Sequence, residues 1–583
     1  MEDVFERLRQ RKIVQWSLAY LAAAFALIQM LDLVGQRFGW PDWIARATIV
    51  AAAVGFVIAI VLAWYHGERG QQRVTGIELV IVAILLALGG GLLWRVARPS
   101  HDAAAVASSA PPPPTVAAPA DRKSIAVLPL ANTSGDPSNE YFSDGLSEEL
   151  IAVLAHIPDL KIIGRTSSFR FKNTNDDSRT IGERLGVATL LEGSVRKQGE
   201  HVRIAVDLIN AVDGRQLWSE TYDRELKDIF AVQSEIASAV VEQLKLKLLG
   251  GDAPVPLAAR EPSLPAYTAM LQGAHLAPNF NEPDMRKAIV YFEEATRLDP
   301  DYALAYARLA NSWRSLAALY LSEPKDIADA YERSRIAAET ALRLSPDLSE
   351  AHLALGYLKL TAVLDFAGAE PKFRRAAELA PSDYRPVDAL AYLFAAQGRI
   401  DEAERAARRA AELDPLSVPP KFNLARIAMV SGRLDDAERN IRKAIALQPA
   451  LSHAYAYLAT IDLLRNDPVA ARRDADLEPP GFWHDYADAL ARQRDGDRAA
   501  ADAALKAMSE KYSYGGPFQV AIIHALRKEP DLVFEWLEKA LQSRDAGLTQ
   551  LFVTPFLIDY RDDPRFVAIA KKLGVDSTRA GRD

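Results

Sequence analysis

Apolar and polar positions follow four different patterns along this chain of 583 residues, and each predicts a different kind of element. Three stretches, about residues 13–35, 48–65 and 77–94, are apolar almost throughout. Each is long enough for a helix to cross a bilayer core. Trp16, Trp40, Trp43, Trp64, Tyr65 and Trp94 stand near their ends, where interfacial aromatics sit. Residues 99–122 are rich in Ala, Pro and Ser, with Pro111–Pro114 in a row, and predict an extended spacer. Residues 123–250 mix strand-like and helix-like runs. From 264 onward, apolar and small residues return at helical spacing to 480, and a looser version of that pattern continues over 481–583.

Within 123–250 the short apolar run Ser124–Leu130 reads as a buried strand and Leu160–Gly164 as a second. A helix over about 140–156 carries Leu146, Leu150, Ile151 and Leu154 on one side, and a short one near 180–185 stops at Gly186. Residues 190–197 and 202–209 form a hairpin around Gly199, in which Val202, Ile204, Val206 and Leu208 alternate toward a core. A second hairpin turns at Asp213-Gly214, a pair suited to a type I′ turn, and returns along 216–222. The closing helix presents Ile229, Val232, Ile236, Val240 and Leu244 at helical spacing.

The region from 264 is periodic. Gly398, Ala403, Ala410 and Pro415 recur 34 residues later as Gly432, Ala437, Ala444 and Pro449. A period of about 34 residues marks a helix–turn–helix solenoid, whose units bury their apolar faces only against neighbours. Glycine lets the chain reverse between the two helices, small alanines let them approach, and proline ends the unit. Further units open at Tyr306, Leu309 and Ala310, ending at Pro346, and at Ser349, ending at Pro381. The first of these is about a dozen residues too long, with the excess near Tyr320–Lys325. Residues 264–480 resemble the tetratricopeptide repeat family, which implies an all-α solenoid that binds other proteins. The helices of 481–583 read as degenerate repeats and a carboxy-terminal cap.

The segments Ser124–Pro129, Tyr141–Leu146, Arg165–Phe169, Leu191–Val195 and Trp218–Asp223 resemble, in order, blocks of the TolB amino-terminal-like domain. The resemblance covers about 122–249 and implies an α/β unit of a bacterial membrane signalling protein placed ahead of tetratricopeptide repeats. Similar proteins often carry an amino-terminal winged-helix DNA-binding domain or a class III nucleotide cyclase domain. Only about twelve residues precede the first apolar stretch here, so neither output domain is expected.

Charge refines this picture without redirecting it. The chain has 69 basic and 77 acidic residues, a net charge of −8, which argues against broad nucleic-acid binding. It has no cysteine, which removes disulfides, thiol nucleophiles and Cys-ligated metals. Arg7, Arg9, Arg11, Lys12, Arg69 and Arg73 outweigh Arg37, Arg46, Arg95 and Arg98 on the opposite side of the expected spans. This favours a cytoplasmic amino terminus and places everything after Trp94 in the periplasm.

Candidate chemistry is sparse. Ser134-Gly135-Asp136 lacks the Gly-Lys-Ser/Thr tail of a phosphate loop, and the nine histidines show no pair at metal-ligand spacing. Asp144 with Glu148 and Glu149 reads as the solvated start of a helix rather than an acid–base site. No catalytic, cofactor or metal residue is assigned. By repeat position, Tyr357, Arg385, Tyr392, Phe422 and Arg426 fall on first helices and toward a partner-binding groove. The same aromatics serve equally well as packing between repeats.

The expected fold class is therefore multi-domain: three transmembrane helices (residues 1–98), a TolB-N-like α/β domain and a tetratricopeptide solenoid. The expected function is that of a non-enzymatic inner-membrane, multi-pass protein. It would contact the lipid bilayer and act as a protein- or peptide-binding scaffold or envelope signal sensor. The alternative is a cyclase-like signalling enzyme or membrane-bound regulator whose catalytic or DNA-binding part is absent or supplied in trans.

Overall fold

A computed structural model describes residues 123–155, 157, 160–244, 260–279, 281–321, 323–449 and 451–575. Six strands form one mixed sheet: β1 (Ser124–Val127), β2 (Ala131–Asn132), β3 (Lys161–Ile162), β4 (Thr189–Gln198), β5 (His201–Asn210) and β6 (Gln216–Glu225). The order is β3-β1-β4-β5-β6, with β2 extending the edge of β4 that β1 occupies. β1 runs parallel to β3 and β4, while β4–β5 and β5–β6 are antiparallel. Val202, Ile204, Val206 and Leu208 are all buried, because a strand with period-two apolar positions can bury only one face. Helices α1 (Glu140–Ala155) and α4 (Ile229–Leu244) cover that face. The short α2 (Arg165–Ser168) and α3 (Ser178–Leu185) stand by the other, over Ala126, Ile163 and Leu190.

The second sheet hairpin differs from the expected type I′ turn. Gly214 has φ +70°, but Asp213 does not share the positive φ that such a turn requires of both central residues. The loop is longer, with Gly214 donating to Asn210 O, and the β5–β6 ladder shifts register between Leu208 and Ile209.

The remainder is helical and paired. Successive hairpins are α5 (Leu264–Leu276) with α6 (Glu282–Leu298), α7 (Ala303–Leu319) with α8 (Pro324–Leu344), and α9 (Ser349–Tyr357) with α10 (Phe366–Leu379). There follow α11 (Tyr384–Ala396) with α12 (Ile400–Leu413), α13 (Pro419–Val430) with α14 (Leu434–Leu447), and α15 (Ala454–Leu464) with α16 (Pro468–Ala475). Then come α17 (Phe482–Ala491) with α18 (Arg498–Lys511), α19 (Pro517–Arg527) with α20 (Pro530–Ser543), and a last helix α21 (Pro564–Lys572). The extra length expected near Tyr320–Lys325 is taken up by long helices: α7 and α8 span 17 and 21 residues.

Two features of the repeat are direct consequences of residue size. Gly398 and Gly432 take φ +73° and +71° between the helices of their hairpins, a conformation that a side chain resists. Gly356 lies so close to α10 that a Cβ there would stand 2.4 Å from the Phe373 ring. A π-helical turn, Leu358–Val363, separates α9 from α10 and ends at Leu364 with φ +59°.

The expectation of three transmembrane helices is corrected. Among the described residues no helix is long and apolar enough to cross a membrane; the fold is an α/β unit joined to an all-α solenoid of tetratricopeptide type. The stretches near 13–35, 48–65 and 77–94 and the spacer 99–122 lie outside the described residues. The orientation, bilayer contact and location read from them lie there too.

Candidate functional site

The α/β unit is not a separate bead ahead of the repeats. Its core is continuous with the solenoid: Leu146, Ile204 and Ile236 belong to one buried cluster with Met270, Phe292 and Leu309. The cluster closes over Tyr267, whose hydroxyl accepts from Gln233 Nε2 at 2.5 Å and whose ring meets that of Phe230 edge-on at 4.8 Å.

Polar contacts extend this seam along the rim where first helices begin. Glu148 of α1 bonds Arg308 of α7 at 2.5 Å and Arg165 at 3.0 Å, with side-chain exposures of 14% and 16% for Glu148 and Arg308. Burial pushes the Glu148 carboxyl up, but the two guanidiniums outweigh it and hold it at about 2. Its neighbour Glu149 is pushed by burial to about 7, against the pull of Arg308. Further along, the Ser167 amide and hydroxyl both donate to buried Asp414. Ser382 Oγ donates to Leu160 O at 2.7 Å, and Arg170 reaches Leu416 O and Leu447 O at 3.2 and 2.7 Å. Burial also pushes Asp414 up, to about 6.

Asp144 belongs to the same seam. It accepts from Lys172 Nζ at 2.6 Å and pairs with His275 Nδ1 of α5 at 2.9 Å. Burial works against the charged form, but these two partners keep its pKa below the ordinary carboxylate value. Its chemistry is that of a clamp between the α/β unit and the first repeat helix.

The first helices of successive hairpins lie side by side and form an inner wall. Of the five residues expected to face a groove, Tyr357, Tyr392, Phe422 and Arg426 lie on these first helices, packed against neighbouring side chains. Tyr357 lies under the Arg314 guanidinium at 4.9 Å and meets Phe373 edge-on at 5.1 Å, and burial raises its hydroxyl above the ordinary range. Arg426 stacks 4.5 Å over the Tyr392 ring. Phe422 packs against His453 and Tyr457 at 4.6 and 5.5 Å between ring centres. Arg385 is elsewhere: at the rim, it is bonded to Asp383 at 2.7 Å and faces Glu350 at 3.5 Å. It is the second residue of its helix, directly after the Asp383 cap that also accepts from its amide.

Sequence reasoning missed what fills this wall. After α20 the chain does not stack another hairpin; residues 546–560 run as two 3-10 turns across the inner wall before α21 begins. Leu548, Leu551, Phe552, Val553 and Leu557 of this strap are buried in the cluster that includes Leu360, Leu393, Leu490 and Phe518. Tyr392 Oη and Thr549 Oγ1 are 2.5 Å apart, and Tyr457 Oη donates to Gln550 Oε1 at 3.0 Å. Between strap and wall a cavity of about 40 Å³ remains, lined by Tyr457, Trp483, Gln519 and Gln550. That is room for a few waters. The available signal was Leu548–Leu557, an apolar run with a proline and no helical period.

Two more polar residues of the wall were missed. Asp388 of α11 is buried, accepts from Asn423 Nδ2 at 2.7 Å and is pushed by burial to about 7. Arg314 of α7 has no carboxylate within ion-pair distance among the described residues. A carboxylate within the otherwise apolar 386–396 run was the visible sign of the first.

No protein-family model matches the chain. It is 37% identical over 189 residues to a Rhizobium meliloti (strain 1021) protein named "Putative adenylate cyclase 3", a match covering 32% of each chain. The chain thus aligns with about a third of the length of that curated relative. Among solved structures, pilF of Pseudomonas aeruginosa is 17% identical with a TM-score of 0.30, covering 39% of this chain and 98% of its own. PilW, a type IV pilus biogenesis factor, is 17% identical with a TM-score of 0.29, covering 43% and 95%. At such scores the solenoid assignment stands on the 34-residue period and the paired helices themselves.

Proposed function

We propose that this protein is a non-enzymatic interaction scaffold in which the α/β unit and the solenoid act as a single recognition body. The observation that carries this reading is the seam. A shared core and the half-buried Glu148–Arg308–Arg165 group hold the two parts in one geometry, as a platform for a protein partner requires. The inner wall, with Tyr357, Tyr392, Phe422 and Arg426, is the proposed partner-facing region, and the strap is its resident occupant. In the finer form of the proposal the α/β unit is TolB-N-like and the partner belongs to an envelope signalling system. Recognition then occurs at the strap-bearing wall and at the adjoining rim.

A photocrosslinking residue at Thr361 or Trp483, beside the strap, and at exposed Ile336 and Val290 on second helices tests this in growing cells. A discrete adduct from the wall positions, absent from the second-helix positions, is expected. Equal adducts from both faces, or none from the wall, would count against the proposal.

The likeness to a protein bearing a cyclase name supports a second reading: a regulator whose catalytic part is supplied in trans. In that case the purified chain turns over no nucleoside triphosphate alone but changes the rate of a co-expressed cyclase.

A further inference from the structure

The sheet has two ends, and the solenoid closes one of them. Beside β3, Ser382 Oγ donates to Leu160 O at 2.7 Å and the Gly164 amide donates to Leu413 O at 3.4 Å. The other end is β6, a strand of ten residues that pairs with β5 alone among the described residues. Leu226 N–H, just past β6, donates to Glu200 O across that ladder at 2.6 Å. Along an antiparallel strand, successive residues turn their backbone groups toward the neighbour and away from it in alternation. The N–H and C=O groups of Ser219, Thr221, Asp223 and Glu225 therefore point away from β5. All four residues are exposed, and the register shift between Leu208 and Ile209 lies outside this stretch.

Proteins commonly blunt such an edge with proline, lysine or a short strand. β6 has neither proline nor lysine, and it is long. Its charges are mostly matched where they stand. Asp223 pairs with Arg203, Arg224 with Glu235 at 3.5 Å, and Glu225 with Lys227 at 2.6 Å. Glu220, the remaining charge, accepts from the Tyr222 hydroxyl at 3.1 Å. Arg224 Nη1 also donates to Asp223 O at 3.2 Å, which leaves that carbonyl a second lone pair. The edge thus offers a row of backbone donors and acceptors without a strong excess of one charge to repel a neighbour.

A second β6 fits this row. With a two-fold axis at Thr221, an antiparallel copy sets Thr221 opposite Thr221, Ser219 opposite Asp223, Glu220 opposite Tyr222 and Trp218 opposite Arg224. Outward-pointing backbone groups then face one another, no like charges meet, and the half-buried Trp218 ring meets a guanidinium. Axes at Glu220 or Asp223 would set like charges face to face, and an axis at Tyr222 would lose the Trp218–Arg224 contact. We propose that β6 is a self-association edge, along which two copies of this chain join through Ser219–Glu225 into one continuous sheet. The same edge serves both copies, so the assembly closes at two. Two inner walls in one particle would bind a partner with two matching segments more tightly than either wall alone. The dimer does not depend on the scaffold reading.

Cysteine crosslinking of the full chain tests this, because the chain has no cysteine of its own. Thr221→Cys places two thiols across the axis, where opposed Cα atoms lie about 4.5–5.5 Å apart and a disulfide can close. Val290→Cys, exposed on α6, is the control, since association through any other part of the chain is common to both variants. Under a mild oxidant, Thr221→Cys should give a reducible homodimer in several-fold higher yield than Val290→Cys. Adding Ser219→Pro removes an outward N–H without touching the β5 ladder. It should abolish that excess while the far-ultraviolet circular dichroism stays unchanged. Equal yields from Thr221→Cys and Val290→Cys would overturn the proposal. So would an excess that survives Ser219→Pro in a folded chain, or a mixed disulfide with another protein, in cells, in place of the homodimer.

Discussion

The hairpins α11–α14 and the carboxy-terminal stretch from α19 to α21 are built from the same kind of helix, yet they end differently. In the first, Gly398 and Gly432 turn the chain, Ala403 and Ala437 are fully buried, and each hairpin closes against its neighbour. In the second, α20 stops at Arg544 in a left-handed conformation, and the next fifteen or so residues cross the inner wall. The regular hairpins set how far the solenoid extends. The irregular stretch sets which part of its inner wall meets solvent. In a repeat protein, then, the periodic part determines shape and the aperiodic part determines what surface is left to bind.

The largest expected effect tests whether the strap is structural. Phe552 is 1% exposed and meets Phe566 edge-on at 5.4 Å. Phe552→Ala should lower stability by about 3–5 kcal/mol in denaturant unfolding. A loss below about 1 kcal/mol would mean that the strap is held loosely and releases the wall easily. Gly356→Ala makes the matching test in a regular hairpin. The new methyl group meets the Phe373 ring, and about 1–3 kcal/mol should be lost by overpacking.

The third prediction concerns pH. The Asp388 carboxyl rises from an ordinary 3.8 to about 7 because burial disfavours its charge. The folded state therefore binds its proton more tightly than the unfolded state. That contribution is fully present below about pH 4 and is lost as pH rises through 7. Asp388→Asn should remove this dependence, so the variant gains on the wild type by about 1–3 kcal/mol between pH 4 and pH 8. Thermal unfolding at pH 5 and pH 8 measures the difference, and a constant offset would mean that the carboxyl is not carrying it. Glu149, pushed up likewise, remains in both proteins. The smallest effect is Tyr392→Phe, which removes the hydroxyl bonded to Thr549. A loss of about 1 kcal/mol is expected, since one partner stays buried.

Much of the helical part was readable because its cause is local. Gly398, Ala403, Ala410 and Pro415 act within one hairpin, so their 34-residue echo reports the hairpin directly. The alternation of Val202, Ile204, Val206 and Leu208 likewise gave a strand and its buried face. The turn at Asp213-Gly214 was misread because a dipeptide does not set loop length, and the register shift at Leu208 and Ile209 does. Helix α19 offers no period to read, because its residues 517–526 are all buried and leave no polar face.

The candidate wall was legible only in part. Repeat position placed Tyr357, Tyr392, Phe422 and Arg426 on first helices, since helical phase is a property of the sequence, but not the side chains they pack against there. Arg385 is held at the rim instead by its ion pairs with Asp383 and Glu350, which no local pattern announces.

By itself, the sequence determined which segments form helices and strands, their hairpin pairing and the faces they bury, because propensity, period and turn chemistry all act over a few residues. Only the tertiary structure decided that Glu148 meets Arg308 across 160 residues, that Asp414 anchors Ser167 across 247, and that residues 546–560 lie in the wall formed by α11, α13 and α19. Such contacts leave no periodic trace in the chain. They depend on the summed geometry of every hairpin between the two partners.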